Sequence, residues 1–203
     1  MSGSTLAISY NYITKLLFFR YNTTMAKIVT YPHPALRQKA APVTRFDQEL
    51  IKLVDKLKAT LIPKRAGPQG VGLAANQIGV LKRVFLMTLP DKSIQPLVNP
   101  EIIKIYPKTM AQLPEDLQFM EGCLSFPGYF GFIDRPIKIK VRYQTITGAI
   151  KEQVLLKPYS SYFQHERDHL DGILFIDYLK KSGEPIYLAD KTTRKLKAVK
   201  NPF

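Results

Sequence analysis

A single α+β domain is what this sequence predicts, on three observations. The chain has 203 residues with 45% apolar and 23% charged content, enough for one sizeable core in an ordinary globular protein. Ile137, Ile139, Val141 and Tyr143 alternate as in a strand with one buried face, while Leu50, Leu53, Val54, Leu57 and Leu61 recur at the threes and fours of a helix. No internal repeat or low-complexity tract separates these patterns, so strands and helices are expected to share one core.

In chain order, residues 1–24 are rich in Ser, Thr, Tyr and Asn and read as an appended extension before Met25. Translation from Met25, a disordered arm or an organellar transit segment each accounts for it, although two basic residues are few for a transit segment. The helix through Leu50 is capped at Thr44 or Asp47 and ends at Pro63. Gly67, Pro68, Gly70 and Gly72 form a loop, followed by strands over 83–87 and 97–106, the second interrupted at Asn99-Pro100. Residues 107–119 read as a polar excursion. Thr147-Gly148 folds the 137–143 strand back onto 150–156 as a hairpin. Pro158 suits the first turn of a helix that Gly172 stops, and the tail from 183 to 203 reads as exposed and basic.

The net charge is +14 and the first acidic residue is Asp47, so RNA or an anionic surface is a conceivable partner. No zinc-finger, RNA-binding or helix-turn-helix signature accompanies the charge, and specific nucleic-acid recognition, DNA included, is not expected. A looser electrostatic contact with the ribosome through Lys191 to Lys200 stays open. One cysteine, Cys123, excludes an internal disulfide and fits a reducing compartment. Leu16-Leu17-Phe18-Phe19 is too short and too late for a secretory core, and no apolar run is long enough to span a membrane. A cytoplasmic location is expected, or an organellar matrix if residues 1–24 are a transit segment.

Two of the three histidines, His165 and His169, are four residues apart and share a helix face, where imidazoles can ligate one metal ion. Glu166 beside them can act as general base on a water at that ion. Such residues also occur on solvated helices. Cys123, ordinarily a small buried apolar residue, would complete three protein bonds to zinc or ferrous iron and leave a fourth position open, the arrangement of a catalytic site. His33, between two prolines, reads as a loop residue, and Asp168 and Asp171 either orient ligands or solvate the helix.

The segments Gly70-Val71-Gly72-Leu73-Ala74-Ala75-Asn76-Gln77, Glu121-Gly122-Cys123-Leu124-Ser125 and Gln164-His165-Glu166-Arg167-Asp168-His169 resemble, in this order, the three motifs of the peptide deformylases. The resemblance covers roughly residues 25–180 and includes Tyr31 to Arg37, Leu97-Val98-Asn99-Pro100 and Asp134-Arg135-Pro136. It implies a catalytic domain over 25–182 in which antiparallel or mixed sheets pack around the His-Glu-x-x-His helix. It also implies hydrolysis of the formyl group from the N-terminal methionine of new polypeptides. Cys123, His165 and His169 would hold Fe2+, or Zn2+, Ni2+ or Co2+ in its place. Glu166 would be the general base, and the Gln77 amide and Leu124 N–H would meet the oxyanion. Val71 and Gly72 on one side and Gly122 on the other would receive the substrate backbone, and Glu121 with Arg135 would brace the cysteine loop.

The sequence departs from the family pattern over Lys157 to Phe163. Tyr162 and Phe163 there are expected to wall the methionine side-chain pocket. Two rival readings remain at this point: a zinc peptidase with Glu184 as third ligand, and a ribosome-associated binding protein without catalysis.

Overall fold

The computed structural model describes residues 24–64, 70–89, 91–190 and 192–203. The expected extension over 1–24 thus lies outside the described residues except for Thr24, as do Gly67 and Pro68 of the expected loop and Lys191 of the tail. Helix α1 spans Gln48–Leu61, and of the two expected caps Asp47 is the one used: its carboxylate accepts from the N–H groups of Glu49 and Leu50. Helix α2 spans Tyr159–Leu170 and α3 spans Phe175–Ser182.

Nine strands make two antiparallel sheets among the described residues. The first, in the order β1-β2-β3-β6-β7, joins Gly72–Ala74, Val84–Thr88, Ile94–Ile105, Lys138–Gln144 and Ile150–Leu156. The second, β4-β5-β8-β9, joins Glu121–Cys123, Phe126–Gly131, Ile186–Ala189 and Leu196–Val199. The hairpin expected through Thr147-Gly148 pairs Gln144 with Ile150 at its closed end. At Asn99 the chain does not break. This residue takes φ +47, a conformation Asn tolerates, and β3 continues past it with a register shift before Glu101. The Asn99 side chain secures the irregularity by bonding Val43 N and O and Gln144 Oε1 at 2.7–2.8 Å.

At β2 the first sheet is covered on both faces, which explains the unbroken apolar run of this strand. Val84 and Leu86 pack under α1 with Leu50, Val54, Leu57 and Leu61, whereas Phe85 and Met87 face Phe163 and Leu170 of α2. Each such buried side chain contributes about 2 kcal/mol. Helix α2 is therefore central, with the first sheet on one side. On its other side a third cluster joins Cys123 and Phe126 of the second sheet to Phe175, Ile176 and Leu179 of α3. Gly172 ends α2 at φ +73 and lies so close to Arg37 that a Cβ would stand 2.5 Å from its carbonyl oxygen.

The tail is largely exposed, as expected, but it is not irregular. β8 pairs with β5, β9 pairs with β8, Ile186 is buried, and the Phe203 ring contacts Tyr31, Phe126 and Tyr129 at centroid distances of 4.9–5.4 Å. Strands of four residues are too short to show an alternation in sequence, and β9 keeps its one basic side chain, Lys197, exposed. Phe203→Ala is expected to lower the free energy of unfolding by about 2 kcal/mol, read from urea denaturation, because it removes the ring that closes this cluster.

Candidate metal centre and cleft

Cys123 ends β4, while His165 and His169 project from one face of α2, and their candidate ligand atoms lie within 4.8 Å of one another. Cys123 Sγ is 3.2 Å from His169 Nε2. His165 uses Nδ1 toward Glu121 Oε2 at 3.0 Å, which leaves Nε2 for the site. One thiol and two imidazoles converging in a buried pocket suit a borderline-soft divalent cation with an open coordination position. The fit is chemical as well as geometric. His169 is buried with Nδ1 unpartnered among the described residues, and burial holds it well below the usual histidine range, neutral as a ligand must be. Burial acts the same way on His165 but is outweighed by Cys123 and Glu121, which raise it well above that range, so a cation entering here displaces a proton.

Behind the ligands lies a buried ionic chain. Arg135 donates from Nε to Glu121 Oε1 and from its second terminal nitrogen to Glu121 Oε2 at 3.0 Å, while the remaining nitrogen reaches Asp168 Oδ2 at 2.7 Å. Tyr178 of α3 donates to the same Asp168 oxygen at 3.0 Å, and the Arg135 guanidinium lies 4.8 Å from the centre of its ring. The chain Tyr178, Asp168, Arg135, Glu121, His165 thus ties α3, α2 and the cysteine strand together and fixes the His165 ring. Asp168 belongs to this chain, while Asp171 pairs instead with Arg83 at 2.7 Å and Arg167 at 3.1 Å. The sequence carried no signal for Tyr178, since only folding brings α3 beside Arg135.

Gln77 is buried, and its amide orientation is set by Ala74 N–H donating to Oε1 at 2.9 Å. Nε2 therefore points at Cys123 Sγ, 3.4 Å away, and at Ser125 Oγ, 3.2 Å away. Ser125 N–H also donates to the sulfur, at 3.4 Å. Glu166 lies buried against Gly72, with Oε2 unpartnered among the described residues. Burial pushes its carboxyl up to about 7, against the opposing pull of His165. A Cβ on Gly72 would stand 2.7 Å from Glu166 Cδ, so the absence of a side chain there gives the carboxyl its place.

A cavity of about 220 Å³ opens beside these groups. Val71 and Gly72 line one side, Gly122, Cys123 and Leu124 the other, and Phe119, Met120, Ser161 and Tyr162 close it. Its two long walls are the outer strands β1 and β4 of the two sheets. The expectation for Phe163 is corrected. It turns away from the cavity toward the first sheet, fully buried with its ring 5.3 Å from Phe85, because adjacent helical residues point about 100° apart. The aromatic wall beside Tyr162 comes instead from Phe119, at the end of the 107–119 excursion, whose ring is 6.2 Å from Tyr162. Glu184 is exposed and lines a separate depression with Asp134 and Tyr178, and His33 caps the short turn Pro34–Arg37, so neither joins the ligand set.

Burial would raise the Glu121 carboxyl, but Arg135 and His165 hold it at about 2, below its ordinary 4.5. A carboxyl whose pKa falls on folding stabilises the protein above about pH 4.5, and that contribution is lost as pH falls through about 2. Metal-free protein is therefore expected to lose stability across this window. Glu121→Gln should flatten that part of a pH series of urea unfolding curves while lowering stability at pH 7 by about 3 kcal/mol or more.

The sequence pattern of the polypeptide deformylases matches residues 25–184. A peptide deformylase of Thermotoga petrophila is 42% identical over 153 residues, which is 75% of this chain and 86% of the relative. The crystal structure of the Thermotoga maritima peptide deformylase superposes with a TM-score of 0.68 at 39% identity, covering 76% of this chain and 97% of that one. A class I type b peptide deformylase of Acinetobacter baumannii, solved with Met-Ala-Ser bound, gives a TM-score of 0.66 at 30% identity over 77% of this chain and 99% of its own. With its family pattern, relatives and fold in agreement around one Cys-His-His cluster, this chain belongs to the polypeptide deformylase family.

Proposed function

We propose that this metal-dependent deformylase removes the N-formyl group from the initiator methionine of newly made polypeptides and releases formate. The observation that carries this reading is that Cys123 and His165, which cluster with His169, line one cavity between two strand edges together with Glu166 and Gln77. The Met-Ala-Ser held by the Acinetobacter relative has the sequence such a reaction would leave behind.

Cys123, His165 and His169 would hold one divalent ion, and the same donors would accept Fe2+, the ion expected in the cell, or Zn2+, Ni2+ or Co2+ in its place. Bound there, the ion supplies Lewis acidity to water and to the formyl oxygen. The protein's own groups do the rest. Glu166, held near neutrality at about 7, accepts the proton of the attacking water on its carboxylate and gives it to the leaving amine. Gln77 Nε2 and the Leu124 backbone N–H donate to the oxygen on which negative charge develops, each donor contributing about 3 kcal/mol. Glu121 and Arg135 keep His165 in place rather than touching substrate.

The peptide enters as an added strand, with Val71 and Gly72 on one side and Gly122 on the other. The methionine side chain lies against Tyr162 and Phe119. Exposed Arg194, Lys195, Lys197 and Lys200 around β9 support a loose, salt-sensitive contact with the ribosome. The cytoplasm is the location that fits this substrate, and an organellar matrix fits it if residues 1–24 are a transit segment. No helix among the described residues is long and apolar enough to cross a membrane.

Anaerobically prepared protein is expected to release formate from formyl-Met-Ala-Ser, whereas Glu166→Gln should lose about 10³-fold in kcat at unchanged metal content. An inactive wild type carrying full metal would refute the proposal. Gly72→Ala, which crowds the Glu166 carboxyl, should lower kcat by about 10-fold or more without loss of bound metal, as followed by steady-state kinetics and metal analysis.

A further inference from the structure

The two donors assigned to the developing oxygen come from different sheets. Gln77 follows β1, in the short turn Ala75–Ile78, and Leu124 follows β4. Donors aimed at a developing charge are effective only when their mutual geometry is fixed beforehand. β1 and β4 do not pair with each other, so no ladder sets that geometry.

Ser125 bridges the gap. Leu124 and Ser125 are the two residues between β4 and β5, where Cys123 pairs with Phe126 beyond a register shift. The Ser125 hydroxyl is buried and accepts from Gln77 Nε2 at 3.2 Å. A primary amide has two N–H bonds, and the other acceptor within reach of Nε2 is Cys123 Sγ at 3.4 Å. Sulfur is a weak acceptor and this contact is long, so the N–H facing it is the one free to leave. Cys123 lines the cavity with Gln77, and Ser125 is not among the described residues that do. The hydroxyl thus occupies the N–H on the buried side and leaves the other on the cavity side. Ser125 N–H, itself 3.4 Å from the sulfur, keeps Cys123 partnered when the amide hydrogen turns to substrate. The backbone secures both residues: Val29 N–H donates to Gln77 O at 2.8 Å and Tyr31 N–H to Ser125 O at 3.1 Å.

Resting on the deformylase reading above, we infer that Ser125 is a positioning residue for the oxyanion donors, its hydroxyl locking the Gln77 amide in register with the Leu124 N–H. Ser125 acts through Gln77 and not on substrate. Ala74 N–H on Oε1 and Ser125 Oγ on Nε2 hold the two ends of the amide, which leaves a single hydrogen for the reaction. Because Ser125 adjoins Leu124 in the same turn, one hydrogen bond fixes a donor of the first sheet against a donor of the second.

Ser125→Ala removes the hydroxyl and keeps the N–H on the sulfur. With formyl-Met-Ala-Ser it should lower kcat by about 10-fold at unchanged KM and metal content, since a donor used only in the transition state affects kcat and kcat/KM alike. Gln77→Ala should lose about 10²-fold. Ser125→Ala should cost nothing further in that background, because a residue acting wholly through another adds nothing once the other is gone. In NMR spectra of zinc-loaded protein, the side-chain amide protons of Gln77, identified by their loss in Gln77→Ala, should exchange with solvent about 10-fold or more faster in Ser125→Ala. Full kcat in Ser125→Ala, additive losses in the double variant, or unchanged exchange of the Gln77 amide protons would overturn the inference. An inactive wild type carrying full metal would instead remove the reaction and the role with it, while the exchange rates would still report whether Ser125 holds the amide.

Discussion

The buried guanidinium of Arg135 is the interaction on which the centre depends. It sits among Glu121, Asp168 and Tyr178, and through Glu121 it fixes the ring of His165. A charge buried this deeply is tolerable only when every donor is satisfied, and removing one partner of such a group typically costs about 3–5 kcal/mol. The same bonds join β4, α2 and α3, so cohesion of the second sheet and alignment of the ligands rest on one set of contacts. Asp168 occupies the turn of α2 between His165 and His169, and one helix thus presents the two candidate ligands on one side and their anchor on the other.

The cleft exists because the two sheets do not merge. β1 and β4 are both edge strands, and the cavity lies between them with the Cys123, His165 and His169 cluster along it. Opposite environments then divide the carboxyls by role. Glu121 is held ionised by Arg135 and orients a ligand, whereas Glu166, buried without such a partner, is held near 7 where it can exchange a proton. The imidazoles diverge for a related reason: His165 leans on Cys123 and Glu121, while burial and the neighbouring charges of His165 and Arg135 lower His169.

Much of this was legible in the residues. The periodicity of Leu50 to Leu61, the cap at Asp47, the hairpin through Thr147-Gly148 and the four-residue spacing of His165 and His169 are local properties, and local properties are written consecutively. What escaped was non-local or too short to be periodic. Phe163 was expected in the pocket but turns into the core, because a helix buried on both faces gives no polar side from which to tell cavity from core. The tail is exposed as expected, but it was expected to be irregular and instead contributes two strands and the Phe203 ring, since four-residue strands leave no statistical trace. Phe119 became a wall of the cavity only because the 107–119 excursion returns to Tyr162.

By itself the sequence determined the α+β class, the helix that carries His165, Glu166 and His169, and Cys123 as the one sulfur that could join those two histidines in a metal-binding cluster. These depend on side-chain chemistry and on spacings of a few residues. Tertiary structure decided which nitrogen of His165 faces the site, which way the Gln77 amide points, that Asp168 and Tyr178 hold Arg135, and which aromatic ring closes the cavity. Each of these is set by contacts between residues far apart in the chain. Such contacts follow from how the sheets and helices enclose one another, which no local pattern encodes.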